Sequence, residues 1–245
     1  NARAATDQAY VALADAQANA PRDGWDGRTK LYFKNVTNSQ AQLAKVRKRV
    51  FPGALDPKAF RGDKPPKPGY QLLPLQLDFS NVFDQPRALT SQLANVLTTA
   101  TSDGRAVNTA SVIESLSDAT SEAADEIVTV NIALTGGQGG DQGRQLQIQN
   151  SIIRQQALLK LAKTHATPAQ QQAITAVGSN DQWITGFRLE AVGSLIIGTP
   201  AATGRSDAVL FTTAAGQRLA NLDALVNKVT GDAEASASQD EHDAF

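Results

Sequence analysis

The sequence predicts an all-α protein, an elongated antiparallel helical bundle with long helices and one proline-rich excursion. Three observations lead there. First, Ile113, Leu116, Thr120, Ala123, Ile127, Val130 and Leu134 recur at alternating spacings of three and four, an unbroken heptad seam on a helix. Second, aromatics make up only 5% of the 245 residues while Ala and Gln are plentiful, a composition that favours helices and suits a β-sandwich poorly. Third, glycine and proline clusters punctuate the chain at intervals that leave helical stretches between them. An elongated bundle can hold residues 1–245 in one domain, with 231–245 as a frayed tail.

Taken in order, residues 3–19 read as a helix whose small-residue face is Ala5, Ala9, Ala12, Leu13 and Ala16. Pro21 and Arg22-Asp23-Gly24 end it. A helix from about Asp26 to Val50 follows, with Leu31, Val36, Leu43, Val46 and Val50 apolar. Its Lys45, Arg47, Lys48 and Arg49 complement the C-terminal end of the helix dipole, the plainer reading beside a ligand site. Residues 51–69 carry Pro52, Pro57, Pro65, Pro66 and Pro68, which no helix tolerates, so they read as a surface excursion. From Tyr70 to Phe83 an extended segment is expected to lie on the bundle.

Asp84 or Gln85 before Pro86 opens the next helix, with Leu89, Leu93, Val96 and Leu97 inside and Asp103-Gly104 at its end. The heptad helix then starts with Asn108 or Ser111 as cap and stops at Gly136-Gly137. Its solvent face is read as Glu114, Asp118, Glu122, Asp125 and Glu126. The glycine-rich stretch 136–143 lacks the Gly-Lys-Ser/Thr of a phosphate loop and reads as a hinge or plain loop. A helix over 144–165 places Leu146, Ile153, Ala157 and Leu161 on one stripe, with Asn150 as a buried polar register-setter. Thr167-Pro168 starts a helix ending near Gly178. Another runs from about Ser179 to Ile197, with Trp183, Ile184, Phe187, Ala191, Leu195 and Ile196 inside. The last starts near Ser206 and continues past Thr230 along a seam of Leu222, Leu225, Val226 and Val229.

The chemistry-bearing residues are few. With no Cys, disulfides, thiolate catalysis and Cys-ligated metals are excluded. A net charge of −1 argues against a strongly basic nucleic-acid binder. No Gly-x-Ser-x-Gly, His-Glu-x-x-His or dinucleotide fingerprint occurs, so no catalytic residue, cofactor or metal site is assigned. His165 reads as a structural residue at a helix end, and Asp240-Glu241-His242-Asp243 as a solvated tail rather than a metal site. Arg154, Arg188 and Arg218 could meet an anion between helices, but the plainer expectation is that they snorkel to solvent. The ligand-binding set is thus unknown at this level. There is no Met, no signal-peptide core and no run of the roughly 20 apolar residues that a membrane helix needs. The chain reads as a piece of a larger protein or a processed form.

Several stretches resemble the nitrate- and nitrite-sensing-like domain found outside the membrane in bacterial sensor histidine kinases. Arg3-Ala4-Ala5-Thr6-Asp7-Gln8-Ala9 is similar to an Arg-x-x-Thr-Asp-x-Ala motif of that family, and Ser117 to Leu134 to its long middle helix. Thr167-Pro168-Ala169-Gln170-Gln171 resembles a Thr-Pro-Glu-Gln helix start. The run from Phe211 to Leu222 resembles the stretch leading into the second membrane span. The chain departs from the pattern in lacking the opening Glu-Arg-Gly-x-Ser type motif, in having Ala124-Asp125-Glu126 where an arginine is often found, and in the insertion at 51–69, so no binding residue is carried over. The resemblance implies an extracytoplasmic sensor domain of a two-component signalling receptor. Its partners would be a small-molecule or protein ligand and, through flanking segments, a bacterial membrane. A homodimer is compatible with it. The rival expectation is a structural helical component of a secretion or surface assembly.

Overall fold

The computed structural model describes residues 26–50, 88–96, 103–136, 141–178, 181–197 and 204–243, with five isolated positions between 11 and 19. Every secondary-structure element among them is helical, so the all-α fold class holds. The five positions between 11 and 19 are helical; Ala5, Ala9, Ala12, Leu13 and Ala16 lie outside the described residues, as do the expected excursion at 51–69 and the segment 70–83. The chain divides into two compact units, 1–93 and 94–245.

In the first unit, helix α1 (Gly27–Val50) is capped by Asp26, whose Oδ1 accepts the Thr29 amide at 2.7 Å. The hydrogen bonds from Thr29 hold the Asp26 carboxyl below its ordinary pKa. Thr29, Phe33, Val36, Ser39 and Leu43 are buried, one face at helical spacing. Val36 and Leu43 are apolar positions that the periodicity picks out; Leu31 is exposed because Phe33 takes its place on the inner face. A helical run at 88–96 buries Leu89, Gln92 and Ala94, and Gln92 donates to the Thr29 hydroxyl at 3.5 Å. Leu93 and Val96, expected inside, are exposed because the buried arc is centred on these other residues.

The second unit is built on helix α2 (Gly104–Gly136), 33 residues and about 50 Å long. Its cap is Asp103, which accepts from the Arg105 amide at 2.9 Å. Asn108 and Ser111 therefore sit inside the helix rather than at its start, which Asp103-Gly104 opens, while the expected end of the preceding helix lies outside the described residues. Helix α3 (Gln142–His165) is capped by Asp141, whose Oδ1 accepts from the Arg144 amide at 2.9 Å. Helix α4 (Pro168–Gly178) begins at Thr167 with a reciprocal box. The Gln170 amide reaches Thr167 Oγ1 at 3.4 Å, and Gln170 Oε1 accepts the Thr167 amide at 2.9 Å. Helices α5 (Asp181–Ile197) and α6 (Gly204–Asp243) complete the unit. Gly231 lies within α6 and does not end it.

Helices α3, α5 and α6 all pack on α2, while α4 packs on α3 and α6. Two apolar clusters form. One joins Val130, Ala133 and Leu134 of α2 to Ile148, Ile184, Ala191, Leu195 and Phe211, with Phe187 edge-on to Phe211 at 6.2 Å. The other joins Val112 and Leu116 to Ala162, Ile174, Leu225 and Val229. Leu134 thus meets the start of α3 and Val112 its end, which makes the two helices antiparallel. By the same test α6 also runs antiparallel to α2.

Two sequence expectations are corrected here. The α3 stripe of Leu146, Ile153, Ala157 and Leu161 faces solvent, Ile153 being 62% exposed, and Asn150 is exposed with it. The buried face is Ile148, Ser151, Gln155 and Ala162, nearly opposite. On α2, Ile113, Thr120 and Ile127 are only half-buried, and the inner arc includes Glu122 and Glu126, assigned to water from their charge. The same physical cause explains both. The polar residues of α2 and α3 satisfy one another across the interface, so polarity does not mark the outer faces. On α5, Ile196 is also exposed, while Ile184, Ala191 and Leu195 are buried as expected.

Candidate functional site

Between the two apolar clusters lies a layer of charged and polar side chains. Glu126 projects from α2 and is 2% exposed. Arg188, on α5 between Ile184 and Ala191, grips both carboxylate oxygens: Nε bonds Oε1, and Nη2 bonds Oε2 at 2.7 Å. Gln155 of α3 donates through Nε2 to the same Oε2 at 2.6 Å. Its carbonyl end accepts from Nη1 of Arg218, on α6, at 2.5 Å. The amide orientation follows from its neighbours, since the reverse would set an NH2 against a guanidinium and an oxygen against a carboxylate. The network therefore runs Arg218, Gln155, Glu126, Arg188, and it ties together α2, α3, α5 and α6. Gln155 is 1% exposed, and each arginine is 6% exposed.

One turn away, Ser151 donates to the backbone carbonyl of Glu122 at 2.9 Å and lies 3.3 Å from Gln155 Nε2. Arg154 approaches Glu122 Oε1 at 3.4 Å, but its side chain is 69% exposed, so that ion pair contributes little. The inner pair differs. Burying each ion costs several kcal/mol, offset only by good geometry and full hydrogen bonding, and apolar residues of the same volume fill a bundle as well or better. A network of this kind is where function is to be sought.

Other polar features stand apart from the layer. A shallow groove is lined by Asn131, Thr135, Ala208, Val209, Thr212 and Thr213, with Asn131 donating to Thr212 Oγ1 at 2.8 Å. Glu190 on α5 has its carboxyl pKa pushed up by burial and by the neighbouring, hydrogen-bonded Asp207 of α6. Among the described residues no group of His, Cys, Asp or Glu could hold a metal ion. His165 Nδ1 lies 3.1 Å from Asn108 Oδ1, a contact between the facing ends of α3 and α2. The side chains of Arg47, Lys48, Arg49 and His242 lie outside the described residues.

Of the three arginines singled out in the sequence, the structure brings Arg188 and Arg218 together through Gln155, and neither snorkels. Arg154 does. The sequence reading leaves out Gln155 and Ser151 and assigns Glu122 and Glu126 to solvent. A signal for them exists: Arg188 falls at i+4 from Ile184 and i−3 from Ala191, and Arg218 at i+7 from Phe211 and i−4 from Leu222, positions that belong to the seam. Two seam arginines need an inward-facing anion, and Glu122 and Glu126 are four apart on α2, a helix that contributes to both apolar clusters.

Among the described residues no helix is long and apolar enough to cross a membrane. No curated protein and no solved structure matches the chain. A family described as nitrate and nitrite sensing matches it over residues 1–234. That family is one of sensing domains rather than of catalysts, and by this match across nearly its whole length the chain belongs to the nitrate and nitrite sensing family.

Proposed function

We propose that this sensor domain is the extracytoplasmic input region of a membrane-anchored bacterial receptor, in which ligand or partner binding is passed outward through the C-terminal helix α6. The observation that carries the reading is the buried network itself. Arg218, on a 40-residue helix, is joined through Gln155 to the Glu126–Arg188 pair. Anything that changes the occupancy or charge of the layer changes what holds α6 in place. A packed interface responds to such a change by moving between discrete arrangements, and a ligand with a small differential affinity for them shifts their populations. A second copy of the chain is a further partner in this reading, compatible with the exposed aliphatic stripe of α3, and light scattering of the purified domain measures it directly.

The test joins α6 in phase to the signalling helix of a reporter histidine kinase. Arg218→Met and Arg188→Met should change basal autophosphorylation, while Leu189→Gln on the exposed face of α5 should leave it unchanged. If both layer variants stay folded and the kinase output does not move, the layer is not the coupling element.

A further inference from the structure

Away from the buried layer, α5 and α6 meet through two carboxyl groups, Glu190 and Asp207, which are hydrogen-bonded to each other. Two ionised carboxylates offer only acceptors, so that bond requires a proton. Asp207 Oδ2 is buried, and with both groups ionised no described residue gives it a donor. A buried acceptor left in that state is costly, and a proton on Glu190 supplies what it lacks. Asp207 stands in the first turn of α6, where the positive end of the helix dipole favours an anion. The proton therefore belongs on Glu190, whose O–H donates to Asp207. The surrounding elements add no counter-ion among the described residues. Ala191 and Ala208, next to the two acids, pack with Val130, Ala133 and Leu134 of α2, which has no titratable residue from Ile127 to Gly136. On α3, Arg144 is paired with Asp141 at 3.2 Å, and on α5, Arg188 is committed to Glu126. Arg205 precedes Asp207 by two residues on α6, and its side chain lies outside the described residues.

We propose that Glu190 and Asp207 share one proton and form a pH-sensitive clasp between α5 and the first turn of α6. With the proton in place the pair is a charge-assisted hydrogen bond. Without it, two anions face each other across the same junction. Burial first, then the charge of Asp207 and the hydrogen bond to it, raise the Glu190 carboxyl above its ordinary pKa. A pKa raised on folding gives stabilisation that is full below the ordinary glutamate range and is lost as pH rises through the raised value. The clasp is thus closed in acid and opened by alkali. The titration belongs to the domain alone, while its signalling meaning rests on the sensor reading, in which α6 carries the output. There the acidity of the medium biases the same helix that Arg218 joins to the buried layer.

Carboxyl-carbon NMR of the full chain measures the titration of Glu190 directly. Its midpoint should lie above that of the exposed glutamates. Asp207→Asn, which puts an amide donor in place of the anion, should lower it. Glu190→Gln replaces the shared proton with a permanent donor of the same shape. At about pH 8 it should raise the Tm by about 2–4 °C over the parent protein, the scale of one hydrogen bond in a chain of this length, and the gain should shrink toward zero at about pH 4. The titration of every other carboxylate is common to both proteins and cancels in the difference. The clasp is overturned by an ordinary midpoint for Glu190 in the parent protein, by a raised midpoint that Asp207→Asn leaves in place, or by a Glu190→Gln gain that is absent or the same in acid and alkali. With the pH changed on the sensor side alone, the kinase chimera carrying Glu190→Gln should hold in alkali the output that the parent shows in acid. A raised midpoint that depends on Asp207, beside a kinase indifferent to pH, would leave the clasp standing and overturn the coupling through α6.

Discussion

At the scale of single residues, the Glu126–Arg188 pair sets the energetics of the layer. Glu126 is held by Arg188 and by Gln155, and Arg188 by Glu126, so deleting either ion leaves the other as a buried charge with an incomplete shell. Arg188→Met should destabilise the second unit by about 3–5 kcal/mol. Replacing both, as Glu126→Leu with Arg188→Met, removes the stranded charge as well, and the double variant should cost less than Arg188→Met alone. Urea denaturation of the four proteins in the cycle measures this. A double variant that costs the full sum of the two single changes would mean that the two charges do not depend on each other. The arginines of this layer were legible as candidates, because they stand at apolar positions of their helices. Glu126 was not: a carboxylate among Glu114, Asp118 and Asp125 looks like one more solvated charge, and only the facing guanidinium turns it inward.

At the scale of elements, α3 shows how pattern and packing part company. Its large aliphatic residues seven and eight apart, Leu146, Ile153 and Leu161, face solvent, while Gln155 and Ser151 face α2. Hydrophobic periodicity locates an inner face when the interface is apolar. Here half of that interface is the charged layer, and the polar groups of α3 go where their partners are. The consequence is measurable by thermal or urea denaturation. Ile148→Ala, at a fully buried position, should cost about 2–5 kcal/mol, and Ile153→Ala should change stability by no more than about 0.5 kcal/mol. The reverse order would restore the periodic stripe as the core face. Where local chemistry suffices, the sequence was read correctly: Thr167-Pro168 starts α4, and Gly136 ends α2.

At the scale of the whole molecule, the second of the two units carries the site. Within it α2 is buried by turns along its full length, from Val112 to Leu134, because three helices pack on it. The last turns of α6, from Gly231 onward, have no buried residue among positions 231–236. Hydrogen exchange should therefore be slowest in the middle of α2, over about residues 115–130, and fast beyond Gly231. Protection at the end of α6 equal to that of α2 would show that this helix end is held by something further, such as a second copy of the chain.

By itself the sequence determined the helical class, most described helix positions within a few residues and the seam of α6, and it named Arg188 and Arg218 together with Arg154 while expecting all three to snorkel. These follow from periodicity, capping and glycine or proline punctuation, which act over a few residues along the chain. Only the tertiary structure decided that Glu126 is an inner residue, that Gln155 links it to Arg218, and that the apolar stripe of α3 faces outward. Those are properties of pairs 29, 62 and 63 residues apart, Glu126 with Gln155, Glu126 with Arg188, and Gln155 with Arg218. A carboxylate is solvated or buried according to what lies across from it, and no local pattern carries that information.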